Sequence, residues 1–340
     1  MHSGLAIRGS VALLVLLLGC TESEADKTTP RSNDGSEAVD AADGEDAEDG
    51  STDSDADADS DGGDDGGTDD GDGDGEGTPG DDDVPVPEPL CSGSTLSMEG
   101  VDAMVELTTL NRRETIYTTY ERIDGIARLF EDCNDPWGMF PTTYRHITNR
   151  IIQAIESGEI EDQRWGEQIV LDFASRYFAN LEAALTGGEL SYGWGQYYYL
   201  ADQADVSRTR TVLVAMVAHL TLDLPYALWA IDTTDAHADD YFVLGELMIE
   251  ITPLFIEELL YYYGADAEDI LNGFFLGEWV DGAFGEDTMI TLSYQTIRTK
   301  SWNNWRLINS GLGLVADGEI YTAFWTIDGV LASLDAAGTI

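Results

Sequence analysis

Basic residues are scarce in this sequence: 16 of 340, against 66 acidic ones, and only Lys27 and Lys300 among them are lysines. A formal charge of −50 leaves nothing to neutralise phosphates, which excludes nucleic acid as a partner. Cysteine is limited to Cys20, Cys91 and Cys133, with no CxxC or Cys/His spacing, so a zinc finger is excluded. Histidine stops at four, and the last 250 residues hold only His146, His219 and His237, too few for a trinuclear zinc site. HExxH, GxSxG, P-loop, GxGxxG and paired Glu-x-x-His motifs are all missing, and strand-like alternation is nearly absent.

What is present divides unevenly. Residues 21–90 carry 27 acidic and 2 basic side chains, whereas 91–340 carry 39 and 13 spread through a chain rich in Leu, Ile, Tyr, Trp and Phe. The first tract is Asp, Gly, Ser, Ala and Thr with prolines gathering at Pro85, Pro87 and Pro89, and cannot bury enough apolar surface to fold. It reads as a disordered acidic linker. Within it, Asp57–Gly62 and Asp70–Gly75 imitate the front half of a calcium loop, but Thr68 and Asp81 stand where the twelfth-position Glu belongs. Diffuse cation binding is the expectation there.

Ahead of the linker, Val11–Leu18 is an apolar run of eight, too short for the ~20 residues that span a bilayer but suited to a secretory signal. It ends Leu17-Leu18-Gly19-Cys20, which resembles the lipobox of bacterial lipoproteins. The resemblance implies a signal peptide over 1–19, acylation of Cys20, and a membrane partner reached through that anchor. Thr21, rather than Asp, follows the cysteine, which in lipoproteins implies the outer membrane, periplasmic or surface-exposed. With Cys20 lipidated in an oxidising compartment, Cys91 and Cys133 are expected to form a disulfide.

Periodicity predicts helices over Met98–Leu110, Glu114–Phe130, Asn134–Gly158, Trp165–Leu185, Tyr192–Ala201, Arg208–Ile231, His237–Tyr263, Asp287–Ile308 and Glu319–Leu334, with a break expected at Gly125. The expected fold is all-α: one multi-helix domain over 91–340, of about eight to ten helices around the 208–231 helix. Val212–Leu224 holds only three polar side chains, His219, Thr221 and Asp223, so this helix belongs inside the protein. His219 and Asp223 are four apart and share a face. Pro225 is expected to end or kink the helix and leave Asp223 beside free carbonyls, in need of a cation.

Two alternatives meet that need. One is a buried polar cluster, with Arg176, Arg150 or Arg298 neutralising Asp223. The other is a metal site, in which His219 and Asp223 are joined by Asp172, Asp239, Asp240, His146 or His237 around a divalent ion such as zinc. Asp172 also stands four residues before Arg176, the spacing of an intrahelical ion pair. No catalytic residue is singled out by motif.

The blocks Tyr144–Ile151, Leu171–Tyr177, Ala218–Leu228 and Asp239–Tyr241 resemble, in order, those of the bacterial domain of unknown function family 5995. That resemblance implies a helical fold and no assigned activity. His219-x-x-x-Asp223-x-Pro225 is also similar to the HxxxD helix of zinc-dependent phospholipases C and single-strand nucleases, which implies a metal-dependent hydrolase with bound water as nucleophile. A lipid-anchored binding or structural domain and such a hydrolase are the two functional expectations.

Overall fold

The computed structural model describes residues 89–271 and 294–340. The signal segment, Cys20, the acidic linker with its calcium-like stretches, and the start of the helix expected from Asp287 lie outside the described residues. Among those described, eleven α-helices account for nearly all regular structure: α1 Met98–Thr108, α2 Ile116–Cys133, α3 Met139–Ser157, α4 Gln163–Thr186, α5 Tyr192–Ala201, α6 Arg208–Ala218, α7 Leu224–Ala230, α8 Ala238–Glu250, α9 Thr252–Tyr263, α10 Tyr294–Asn309 and α11 Gly313–Ala336. The remainder includes a two-residue antiparallel ladder, β1 Cys91–Ser92 with β2 Thr95–Leu96, single 3-10 turns at Pro136–Gly138 and Asp235–His237, and a π turn at His219–Asp223.

Local chemistry sets the helix ends. Ser97, Asp162 and Ser207 each accept a first-turn N–H, and Thr115 forms a capping box with Thr118. Gly158 closes α3 at φ 77°, a left-handed position where a Cβ is costly. Gly125 does not break α2, because it sits against Leu107 of α1, where a Cβ would be 3.2 Å from that side chain. The helix expected over 237–263 is two helices. Ile251 separates them, since Pro253 lacks an N–H and its ring blocks the preceding turn.

Cys91 and Cys133 are joined, Cα–Cα 5.3 Å, tying β1 to the end of α2. The stretch Arg208–Ala230 is long and apolar enough to cross a membrane, yet 94% of its most apolar window is buried inside the protein. Helices α3, α4, α5, α10 and α11 all pack against it. The core is aromatic where they converge: Phe140, Tyr177, Trp194, Tyr197 and Phe324 are all but inaccessible.

Candidate functional site

Between α6 and α7 the helix does not end. His219–Asp223 forms one π turn, closed by the Leu224 N–H donating to the His219 carbonyl five residues back. Such insertions recur at functional sites. Pro225 enters as the second residue of α7 and offers no N–H to the turn behind it. The Leu220 carbonyl is met instead from another helix, by the Ser301 hydroxyl of α10. Thr221 donates to the Val217 carbonyl at 2.7 Å. The expectation that Asp223 faces the free carbonyls of a terminated helix is therefore corrected: the chain stays helical, and a neighbour supplies the missing donor.

His219 Nδ1 lies 2.8 Å from Asp223 Oδ2, and the Trp194 indole N–H donates to the same oxygen at 2.8 Å. Both residues of the pair are buried. With two N–H groups converging on it, the carboxylate fixes the tautomer: Nδ1 carries the proton and Nε2 is left as an acceptor. Nε2 is buried and has no hydrogen-bond partner among the described residues. Burial pushes the His219 pKa below its usual value, with Asp223 only partly opposing, so the ring is neutral near pH 7. Four aromatic rings hold it: Phe173 stacked at 3.4 Å between centroids, and Phe140, Tyr144 and Trp194 edge-on at 5.2, 5.0 and 5.7 Å.

Two cavities flank the pair. On the imidazole side is an apolar cavity of about 60 Å³, lined among others by Tyr144, Phe173, Met216, His219, Met248 and Arg298. On the carboxylate side, a more polar cavity of about 530 Å³ is lined by Arg176, Tyr192, Asp223, Tyr226, Asp317 and Tyr321, among others. The first is walled in part by the His219 ring and lies at the centre of the helical packing. It is the candidate site.

The other residues expected near a metal are engaged elsewhere. Asp172 accepts from Arg176 at 2.7 Å, the intrahelical pair its spacing suggested. Asp240 accepts the backbone N–H groups of Glu161 and Asp162 at 2.7 and 2.9 Å, tying α8 to the start of α4. Asp239 stands in the first turn of α8, where a carboxylate complements the helix dipole. Among the described residues no three His, Cys, Asp or Glu side chains gather as metal ligands would. His146 pairs with Glu258 at 2.7 Å beside Arg145, and His237 caps its own helix start with Thr234 while stacking on Trp165.

Of the three arginines considered for Asp223, none is ion-paired with it. Arg150 pairs with Glu159 and Glu250, Arg176 with Asp172, and Arg298 lies under Tyr241. Trp194 supplies a neutral hydrogen-bond donor where an arginine was expected to supply a charge. The aromatic run Tyr192–Tyr199 was the signal available for it, but spacing alone does not show which ring of such a run turns toward Asp223.

A family model described as a family of unknown function (DUF5995) matches residues 116–316, more than half of the chain and the whole of the His219 cavity's described lining. No curated protein and no solved structure matches the chain. The chain belongs to the DUF5995 family.

Proposed function

We propose that this protein is a lipid-anchored envelope protein that uses its helical domain to bind a small, largely apolar molecule in the cavity beside His219. The observation that carries the proposal is the cavity itself: about 60 Å³ between α3, α4, the central helix, α8 and α10, with apolar walls and an unpartnered buried His219 Nε2. The size suits a small occupant, several times the ~10–15 Å³ a water needs and below the ~150 Å³ that admits benzene. The hydrolase alternative has weaker support, since Asp172, Asp239 and Asp240 serve other partners and Asp223 Oδ2 already accepts twice.

Acylation of Cys20 would place this domain at the outer membrane, periplasmic or surface-exposed, with the acidic tract as spacer. Labelling with a radioactive fatty acid tests the anchor: incorporation into the wild type and its loss in Cys20→Ala are expected, and equal labelling of both would overturn it.

The binding proposal has a spectroscopic test. Of the seven methionines, Met216 and Met248 line the cavity, whereas Met98 is 80% exposed. In mature protein carrying ¹³C-methyl methionine, dissolved xenon, a neutral probe small enough for this volume, should move the Met216 and Met248 signals and leave Met98 in place. If these signals stay unmoved as the probe approaches its solubility, or move only together with Met98, the proposal fails.

A further inference from the structure

We infer that the polar cavity on the carboxylate side of Asp223 takes an organic ammonium ion with an apolar body, its charge held between Asp223 and Asp317 and its flank against tyrosine rings. This site is separate from the cavity beside His219 and does not depend on the binding reading given for that one. At about 530 Å³ it has the volume of a small-molecule site. The Asp223 side chain forms part of its wall and keeps 9% of its surface exposed. Both donors that reach this carboxylate, His219 Nδ1 and Trp194 Nε1, go to Oδ2. Oδ1 accepts from none of the described residues and is not among the polar atoms sealed from solvent. Asp223 lines this cavity and not the apolar one, so the free oxygen is left to this space.

What the cavity lacks is a matching cation. Asp317 of α11 stands at its exposed rim and accepts the Tyr226 hydroxyl. Arg176 is the one basic side chain in the lining, and Asp172 already matches it at 2.7 Å. His219, the ion-pair partner that Asp223 has by distance, is held neutral by burial. Residues 272–293 contain no Lys, Arg or His, so that stretch brings no counter-charge either. Both carboxylates bear on one hydroxyl: burial pushes the Tyr192 pKa up to about 12, and the charges of Asp317 and Asp223 add to the effect. The rings of Tyr192 and Tyr321 lie 5.2 Å apart between centroids, and such faces attract a cation. Leu222 and Ile320 add apolar wall. Among the described residues no three His, Cys, Asp or Glu gather as metal ligands, so two carboxylates among aromatic rings suit an organic cation better than a metal ion. The chain's formal charge of −50 favours the approach of such a ligand.

The test is a calorimetric titration of the protein with phenethylammonium, its neutral counterpart phenethyl alcohol and the anion phenylpropionate, at roughly 0.15 M salt to screen diffuse attraction to the acidic tract. The ammonium ion should bind about tenfold more tightly than the alcohol, and more tightly still than the anion. Asp223→Asn, which keeps the side chain's shape, should remove most of that preference. Asp317→Asn, at an exposed position where folding is not at stake, should weaken the ammonium ion about fivefold and leave the alcohol unchanged. Tyr321→Leu should weaken it about threefold. Asp132→Asn, exposed on α2, should change nothing. Equal binding of the ammonium ion and the alcohol, or tighter binding of the anion, would overturn the assignment. So would equal weakening by Asp317→Asn and Asp132→Asn, the mark of diffuse attraction to an acidic chain. Each of these failures leaves the cavity beside His219 standing, because Met216 and Met248 report on that one separately.

Discussion

Replacing Asp223 by alanine removes one carboxylate oxygen that two buried donors share, His219 Nδ1 and Trp194 Nε1, each at 2.8 Å. Neither donor has another acceptor among the described residues, so both are orphaned at about 1–3 kcal/mol apiece, and release of the buried charge offsets part of that sum. The expected loss is about 3 kcal/mol. Asp223→Asn keeps the shape and one acceptor oxygen, exchanging charge-assisted bonds for neutral ones roughly half as strong, and should cost about 1 kcal/mol. Urea unfolding, followed by tryptophan fluorescence, measures both through the midpoint shift at constant slope. A double-mutant cycle with Trp194→Phe isolates the indole bond and should return a coupling of about 1–2 kcal/mol. Should Asp223→Ala fall within 0.5 kcal/mol of wild type, a typical surface value, the pair contributes nothing to the fold and the reasoning is wrong.

Three further outcomes follow from particular contacts. His219 is held neutral by burial, so its folded pKa lies below the unfolded value of about 6.5; unfolded chains take up the proton first, and stability present above that pH is lost as pH falls through and below it. Asp135 acts in the opposite sense, since burial raises its pKa to about 6 and folding gains from its protonation as pH falls. The difference between wild type and His219→Gln isolates the histidine: between pH 7.5 and 5 the wild type should lose up to about 1.4 kcal/mol per pH unit more than the variant, and equal slopes would refute this. Removing the Cys91–Cys133 link, which closes a separation of 42 residues, should cost about 4 kcal/mol, measured by comparing unfolding of the wild type with the Cys91→Ala/Cys133→Ala variant. Arg145→Met strands the buried Glu131 and should destabilise by about 3–5 kcal/mol in the same assay, with partial recovery in Arg145→Met/Glu131→Gln.

Local signals were the legible ones. Positions such as Gly158, Gly187 and Gly264, where the backbone turns left-handed, ended helices where periodicity expected them to end. The disulfide followed from the number of cysteines, and the His219–Asp223 contact from i,i+4 spacing, because both hydrogen-bonding partners stand on one helix face. The π turn was hidden because its cause is distributed. Pro225 alone argued for an ended helix, and what keeps the chain helical includes the Ser301 hydroxyl, 81 residues from the Leu220 carbonyl it meets. Trp194, 29 residues before Asp223, was out of reach for the same reason. Arg298 was considered as a counter-ion to Asp223, and its place under Tyr241 depends on Gly245, whose effect is an absence of atoms that no pattern of side chains reveals.

The account turns on whether the space beside His219 is a real site for an apolar guest. A crystal of the protein under xenon pressure answers this most directly, since xenon seeks dry apolar cavities and is located by its electron density. One xenon site is expected among Phe173, Met216, Leu220 and Met248. Xenon found elsewhere in the protein, with that space filled by repacked side chains, would contradict the account.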